Sequence, residues 1–371
     1  MSNATRRVLL FMRAAVLNEY GKPLEIEDLA SPDLGPTSVR LRVDASGVCH
    51  SDLLIQDGTI PFPLPVILGH EGAGTVLEVG DAVTRVQIGD RVICSFIPSC
   101  GECWFCLQGR SNLCEGLLET MLTNRGTRSD GTPTFGMSGL GTFADELVTD
   151  QGMVVPVHTD LPAEQLALIG CGVTTGVGAA LNTARVRPGS SVAVIGCGGV
   201  GQAVIQGARI AGASRIFAVD PLDHKRSAAS GFGATDLLDP TDGDPVEQVR
   251  EATGGRGADY AFEALGRPET IVQAYAMVCK GGTAVIIGMP KLDATVTFSA
   301  VELMTNDKKI TGCFYGSANV RRDFPRFVEL AETGRLDLGA MVTRRISLDE
   351  VNEAIEAVER GDVIRSVICN H

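Results

Sequence analysis

Residues 196–201 read GCGGVG, and the sequence around them turns from a strand into a helix: the apolar run VAVIG leads in and GQAVIQGARIAG leads out. The G-x-G-x-x-G spacing carries little weight by itself in a chain with 44 glycines, but between an apolar strand and a helix it commits this part of the chain to a βαβ unit. Gly196 permits a tight turn, Gly198 lets backbone amides approach a pyrophosphate at the helix N-terminus, and Gly201 allows the helix to pack close to the strand; Gly199 and Val200 complete the turn. The next strand, RIFAVD, ends in Asp220, nineteen residues after Gly201. A carboxylate there accepts hydrogen bonds from the hydroxyls of an adenosine ribose and repels a 2′-phosphate, so the expected cofactor is NAD rather than NADP.

The pattern continues with a helical HKRSAASGFGA, a strand at Thr235–Leu238, a helix at VEQVREATGG, and strands at ADYAFEA, TAVIIG and KITGCF. Six parallel strands with helices between them make a doubly wound α/β sheet. Upstream the pattern differs. VRLRVDASG alternates Val39, Leu41, Val43 and Ala45 against polar residues, and GTVLEVG and RVICSF are short β-rich runs, so a mainly β lobe is expected. Downstream come two amphipathic helices, FPRFVELAETG and LDEVNEAIEAVERG, and a last strand, VIRSVIC. At 371 residues the chain is long enough for two domains.

Lys and Arg number 32 against 45 Asp and Glu, and the net charge of -13 repels phosphate backbones and anionic lipid surfaces. No nucleic-acid or membrane partner is expected. In the N-terminal MSNATRRVLLFMRAAVL, Arg13 interrupts the apolar run too soon for the core of a signal peptide. Two uncharged stretches, Leu166–Ala184 and Pro188–Ala208, approach membrane-spanning length, but glycines and polar residues break both, and they read as buried strand and helix segments. Eleven cysteines without a secretory signal point to the cytoplasm, where clustered thiols are more often metal ligands than bridges.

Four of those cysteines fall in CGECWFCLQGRSNLC, residues 100–114. Cys100, Cys103, Cys106 and Cys114 can wrap one tetrahedral zinc, leaving no open position, so this site is structural. The spacing also approaches that of an iron-sulfur run, but Glu115 stands where such a run normally has proline. An open metal site needs other ligands. GVCHSD offers Cys49 and His50, LGHEGAG offers His70 and Glu71, and IGCGVTTGVG offers Cys171. Two thiolates and an imidazole would leave a fourth position for substrate, although each residue also reads as an ordinary buried side chain, and no local spacing links the three.

Taken in order, GVCHSD, GHEGAG, the four-cysteine lobe, GCGVTTG, GCGGVG and IRSVI make the sequence resemble the medium-chain, zinc-dependent alcohol dehydrogenase family over nearly the whole chain. The resemblance implies a GroES-like catalytic domain, residues 1–173 and 318–371, around an inserted Rossmann domain, residues 174–317, in a homodimer or homotetramer. It implies two zinc ions per chain, a catalytic one on Cys49, His70 and Cys171 and a structural one on the four clustered cysteines. Ser51 matches the hydroxyl that takes the substrate proton, Asp52 the carboxylate that orients the metal-bound histidine, and Glu71 a residue behind the metal. His50 and Arg365 match basic residues on the cofactor pyrophosphate, Thr175 a residue near the nicotinamide, and Lys225 one near the adenosine ribose. The implied reaction is reversible hydride transfer between a small-molecule alcohol and NAD, giving the aldehyde.

Two rival readings weaken on the residues. The glutathione-dependent formaldehyde dehydrogenases of the family grip a charged thiol adduct, whereas the matching positions here, GTIPFP and Leu118, are apolar. A non-catalytic zinc-binding interaction protein would lack the cofactor motif. Phe96 matches a position lining the substrate pocket, Ile60 and Leu140 lie in segments that usually do so, and Gly139 stands where relatives often carry an aromatic. An apolar, roomy slot favours medium-chain or aromatic primary alcohols. One departure stands out: many relatives place a histidine five residues after the first zinc cysteine to relay protons outward, and this chain has Leu54 there. Water is the expected outer carrier, because His50 is expected to face the pyrophosphate.

Overall fold

Strands covered by helices on both faces are near-continuous apolar runs, and the second half of the chain has them. In the computed structural model, which describes residues 11–370, Ser191–Ile195 and Arg215–Val219 bury nearly every side chain. The first ten residues of the N-terminal stretch read above lie outside the described residues. The six-stranded sheet is parallel throughout, in the order Asp236–Leu238, Arg215–Val219, Ser191–Ile195, Ala258–Glu263, Val278–Ile286, Lys309–Gly312. The chain starts at the centre, winds to one edge, then crosses to wind to the other. The switch in direction opens a crevice at the carboxyl ends of Ser191–Ile195 and Ala258–Glu263, and the glycine turn lies there.

The preceding lobe is mainly β. Phe11–Leu17, Glu25–Ala30, Val66–Ile67, Asn124–Thr127 and Pro133–Gly136 close a small barrel, and a seven-stranded sheet is built around Ser38–Val48. That long strand is flanked by Glu71–Val79 and, from the far end of the chain, by Ser366–Cys369. Ser366 pairs antiparallel with Val48, which sets Arg365 beside Cys49.

Two expected elements differ in extent. The apolar stretch from Leu166 is one helical run, Ala163–Thr183, long and apolar enough to cross a membrane but mostly buried inside the protein. It holds no strand, and it widens into π-helical turns at Ile169–Val173 and Ala179–Thr183. The helix expected from Phe324 begins at Val320, before Pro325, because the buried Asp323 carboxylate reaches back to the backbone N–H of Asn319 at 2.9 Å and closes its first turn. The next helix, Val351–Arg360, follows a Ser347–Glu350 capping box and stops at Gly361, whose φ is +74°.

Candidate metal centre and cofactor crevice

The helix His50–Gln56 starts where the strand Ser38–Val48 ends, with Cys49 as its N-cap. Asp52 sets that start by accepting from the Cys49 backbone N–H at 2.8 Å, and its other oxygen accepts from Gly69 N–H at 3.0 Å. The second oxygen also faces His70 Nδ1 at 3.3 Å. One fully buried carboxylate therefore fixes both Cys49 and the imidazole of His70, and a proton on Nδ1 leaves Nε2 with a free lone pair.

Cys49, His70, Glu71 and Cys171 then meet, their donor atoms all within 4.8 Å of one another and all four residues buried. Cys171 arrives on the π-helical turn. Glu71 accepts from Gly172 N–H at 3.1 Å and from Arg365 Nη2 at 3.2 Å, while the same guanidinium nitrogen lies 3.5 Å from Cys49 Sγ. Burial pushes the Glu71 carboxyl up to about 7 against the pull of Arg365. The hydrogen bond from the Cys171 thiol, aided by Arg365, holds the Cys49 thiol well below its ordinary value, and Cys171 is held well above its own.

His70 Nε2 and Glu71 Oε2 are buried without a hydrogen-bond partner among the described residues. A buried polar atom left unsatisfied costs about 1–3 kcal/mol. A cation among two thiols, an imidazole and a carboxylate removes that cost, and this donor set fits zinc.

The other cluster forms from one short segment, residues 100–114. Cys100 and Cys106 sulfurs lie 3.7 Å apart, Cys103 and Cys114 sulfurs 4.0 Å, and the four together again within 4.8 Å. Backbone N–H groups of Glu102 and Cys103 point at Cys100 Sγ, and that of Cys106 at Cys103 Sγ. Such donors stabilise thiolates. Arg85 clasps the entry to this knuckle by donating to the carbonyls of Ser99 and Cys100, both at 2.7 Å. Four sulfurs facing inward fit a closed zinc site.

In the crevice, Gly196 has φ +89°, and a Cβ on Gly201 would lie 1.8 Å from the Gly196 carbonyl oxygen, so the helix Gly199–Ile210 packs against the turn only because Gly201 has none. The space beside Gly198 is open. Asp220 is 4% exposed, its oxygens accepting from the backbone N–H groups of Cys197 and Leu222 at 2.8 and 2.9 Å. These bonds tie the carboxylate to the glycine turn. Lys225 follows one turn into the next helix, and Thr175 sits one turn after Cys171. Arg365 packs against Gly199 as well as Glu71, which places its guanidinium between the metal cluster and the glycine turn. His50 is exposed at the start of its helix.

Phe96 lies edge-on to His70, with ring centroids 5.7 Å apart at 87°, and its ring also meets Phe314 and Tyr315. Leu140 is fully buried in the core of the β lobe, and Ile60 packs against the barrel. Gly139 cannot be exchanged for an aromatic within this backbone: its φ is +76°, and a Cβ would meet Thr120 at 2.7 Å. Its carbonyl accepts from Arg125 Nε at 3.0 Å, so this glycine serves the turn. Sequence reasoning missed Phe314 and Tyr315. Each joins the site through residues more than 130 positions away, and no local pattern announces either.

An Alcohol dehydrogenase GroES-like domain matches residues 35–159, and a Zinc-binding dehydrogenase domain residues 199–333. The chain is 40% identical over 363 residues to Putative alcohol dehydrogenase D of Mycobacterium tuberculosis, covering 96% of this chain and 98% of that protein. It is 40% identical over 369 residues to the S-(hydroxymethyl)glutathione dehydrogenase of Synechocystis, covering 96% and 99%. Among solved structures, benzyl alcohol dehydrogenase from Acinetobacter calcoaceticus superposes with a TM-score of 0.92 at 31% identity over 98% of this chain and all of that one. Likeness of this extent, over both lobes at once, makes the chain a member of the medium-chain zinc-dependent alcohol dehydrogenases, a family of oxidoreductases that work with zinc and NAD(H).

Proposed function

We propose that this enzyme interconverts primary alcohols of the medium-chain or aromatic kind and their aldehydes with NAD. The observation that carries the reading is the buried set of two thiols and an imidazole, with His70 Nε2 unpartnered and the Phe96 ring beside it. In this reading Cys49, His70 and Cys171 hold a catalytic zinc, and Cys100, Cys103, Cys106 and Cys114 hold a structural one. When bound, zinc supplies a Lewis acid and NAD a hydride acceptor.

The chain's own groups do the rest. Asp52 holds the His70 ring, and Arg365 balances the negative charge gathered around Cys49 and Glu71. The Ser51 hydroxyl, 3.9 Å from Cys49 Sγ and half-buried, takes the alcohol proton. Asp220 and Lys225 receive the adenosine ribose, the turn from Gly196 to Gly201 with His50 and Arg365 the pyrophosphate, and Thr175 the nicotinamide end. Phe96, with Phe314 behind it, gives an apolar wall suited to an alkyl chain or aromatic ring and excludes water from the reacting carbon.

The same reading divides the chain into residues 1–173 with 318–371 and residues 174–317, supported by the pairing of Ser366–Cys369 with Ser38–Val48. Assembly as a homo-oligomer is supported by the strand Lys309–Gly312, which pairs on one side only among the described residues, and by exposed Leu292, Val301 and Met304 nearby. A cytoplasmic setting is supported by eleven cysteines that are all free.

A second reading, oxidation of an S-hydroxymethyl thiol adduct, is favoured by the Synechocystis relative but opposed by the side chain of Leu118, 73% exposed where a charged grip would be needed. A panel of alcohols, aldehydes and an S-hydroxymethyl thiol, run with NAD(H) and NADP(H), separates the two. Benzyl and medium-chain alcohols with NAD should have the highest kcat/KM. A thiol adduct that surpasses them would replace the first reading by the second.

A further inference from the structure

We propose that Tyr315 is a positioning residue for Cys171, and that the four-cysteine lobe supports it through the strap Cys313–Ala318. The inference rests on the reading of Cys49, His70 and Cys171 as metal ligands. Its starting point is the π-helical turn Ile169–Val173, which presents Cys171 and leaves carbonyls outside the regular ladder. Such turns recur at functional sites and need outside partners for the groups they free. Two side-chain hydroxyls act here: Thr174 Oγ1 donates to Ile169 O at 2.6 Å, and Tyr315 Oη donates to Gly170 O at 2.5 Å. Gly170 immediately precedes Cys171, so the second bond sets the peptide from which the thiol projects.

The strap that carries Tyr315 is unusual. Tyr315, Gly316 and Ser317 have φ values of 54°, 65° and 48°, three left-handed residues in succession, two of them not glycine. L-residues avoid this conformation, and it persists only where the surroundings over-determine it. They do so from three sides. Tyr315 is 2% exposed and its ring lies 4.1 Å from that of Phe96, which in turn abuts His70. Gly316 is wedged so tightly that a Cβ would lie 2.1 Å from Thr174 O, while Asn182 donates to its carbonyl at 3.3 Å and Ser317 Oγ meets Thr183 Oγ1 at 2.8 Å.

The third side is the four-cysteine lobe. Asn112 Nδ2 donates to Phe314 O at 3.1 Å, and Ser111 Oγ donates to Ala318 O at 3.5 Å. Both residues are buried and lie in the single turn between Cys106 and Cys114. The knuckle thus fixes the turn, the turn fixes the strap, and the strap fixes Gly170 and Cys171.

The test uses the metal-loaded enzyme. Tyr315→Phe keeps the ring and removes one hydroxyl, and Asn112→Ala unties the strap from the knuckle. Zinc release to a chromogenic chelator and the thiolate-to-cobalt absorption band of the cobalt-substituted protein are recorded for each. Tyr315→Phe should lose one metal about three- to tenfold faster, as expected for one hydrogen bond, and shift the band. Asn112→Ala should do the same more weakly, and the double variant should add little to Tyr315→Phe. Unchanged release, or a lower thermal midpoint with an unaltered band, overturns the positioning role; additive effects overturn the link to the lobe. Should Tyr315→Phe not fold, Asn112→Ala decides alone, an unchanged band counting against the proposal. A Cys171→Ser control that leaves both the metal content and the band of the wild type unchanged sinks the metal reading itself, and so is told apart from these outcomes.

Discussion

The two cysteine clusters use the same atoms for opposite ends. In the knuckle, four thiols come from residues 100–114, and backbone N–H groups point at two of the sulfurs. The other cluster draws on Cys49, His70 and Cys171, surrounds them with Glu71, Arg365 and Asp52, and leaves His70 Nε2 without a partner among the described residues. Local chain builds a site that is finished when it closes. Distant chain builds a site that stays unfinished, because its elements come from a helix start, a strand end and a π-helical turn that answer to the fold before they answer to the metal. On the proposed function, the difference assigns stability to the closed cluster and chemistry to the open one.

The sharpest way to break this contrast is Cys171→Ser. One of two metals should be lost and turnover abolished, while the circular dichroism spectrum and the knuckle metal remain, since the turn is held by Thr174, Tyr315 and its buried helix. Residual activity near wild type would mean that Cys171 is not a ligand. Cys103→Ser should do the reverse. Its first effect should be a thermal midpoint lower by several degrees, with kcat falling less than in Cys171→Ser. Elemental analysis and a melting curve on the same sample check both. Equal losses of stability in the two variants would erase the distinction.

The same contrast explains what was legible from sequence. The four-cysteine cluster could be read from spacing, because its members are neighbours in the chain. All six strands of the parallel sheet overlap expected segments, and the signal is densest in the inner strands Ser191–Ile195 and Arg215–Val219, where burial on both faces leaves an apolar run; the edge strands Asp236–Leu238 and Lys309–Gly312 are only partly buried. The strand at KITGCF ends early, at Gly312, because the chain leaves the sheet there to form the strap. The stretch from Leu166 was ambiguous for the same reason that the sheet was clear: a fully buried helix has no polar face to set a period. The open cluster could not be read from periodicity or spacing, and its assembly depended on resemblance to a family. Tyr315 and Asn112 had not even that. Their partners are backbone carbonyls, which leave no trace in a sequence.

Asp52→Asn probes the second layer of the open site, for which the knuckle has no counterpart. An amide keeps only one of the two acceptor oxygens, so one of the Cys49 and Gly69 N–H groups then faces an NH2 group, and in either orientation the negative charge beside His70 Nδ1 is gone. Metal affinity at this site, measured by competition with a chelator, should fall by about ten- to a hundredfold. The knuckle metal should be unaffected. A shared loss from both sites would point to global loosening instead.

The smallest effect concerns a demand that only the open site faces, the passage of a proton to solvent. Ser51 stands beside Cys49 at the start of the helix His50–Gln56, and Leu54, one turn on and half-buried, cannot carry a proton onward. Water or His50 must therefore serve as the outer carrier. His50 is exposed at the helix start, where the proposed reading gives it to a bound pyrophosphate rather than to the relay. We expect water to serve. Leu54→His should then raise alcohol oxidation by no more than about tenfold, chiefly on the acid side of the profile, where an imidazole of ordinary pKa near 6.5 remains a better base than water. His50→Gln should raise KM for NAD and leave the hydride-transfer rate of the saturated enzyme nearly unchanged, as read from a pre-steady-state burst. A lost burst in His50→Gln with NAD affinity intact would transfer the relay to His50 and leave Leu54→His without effect.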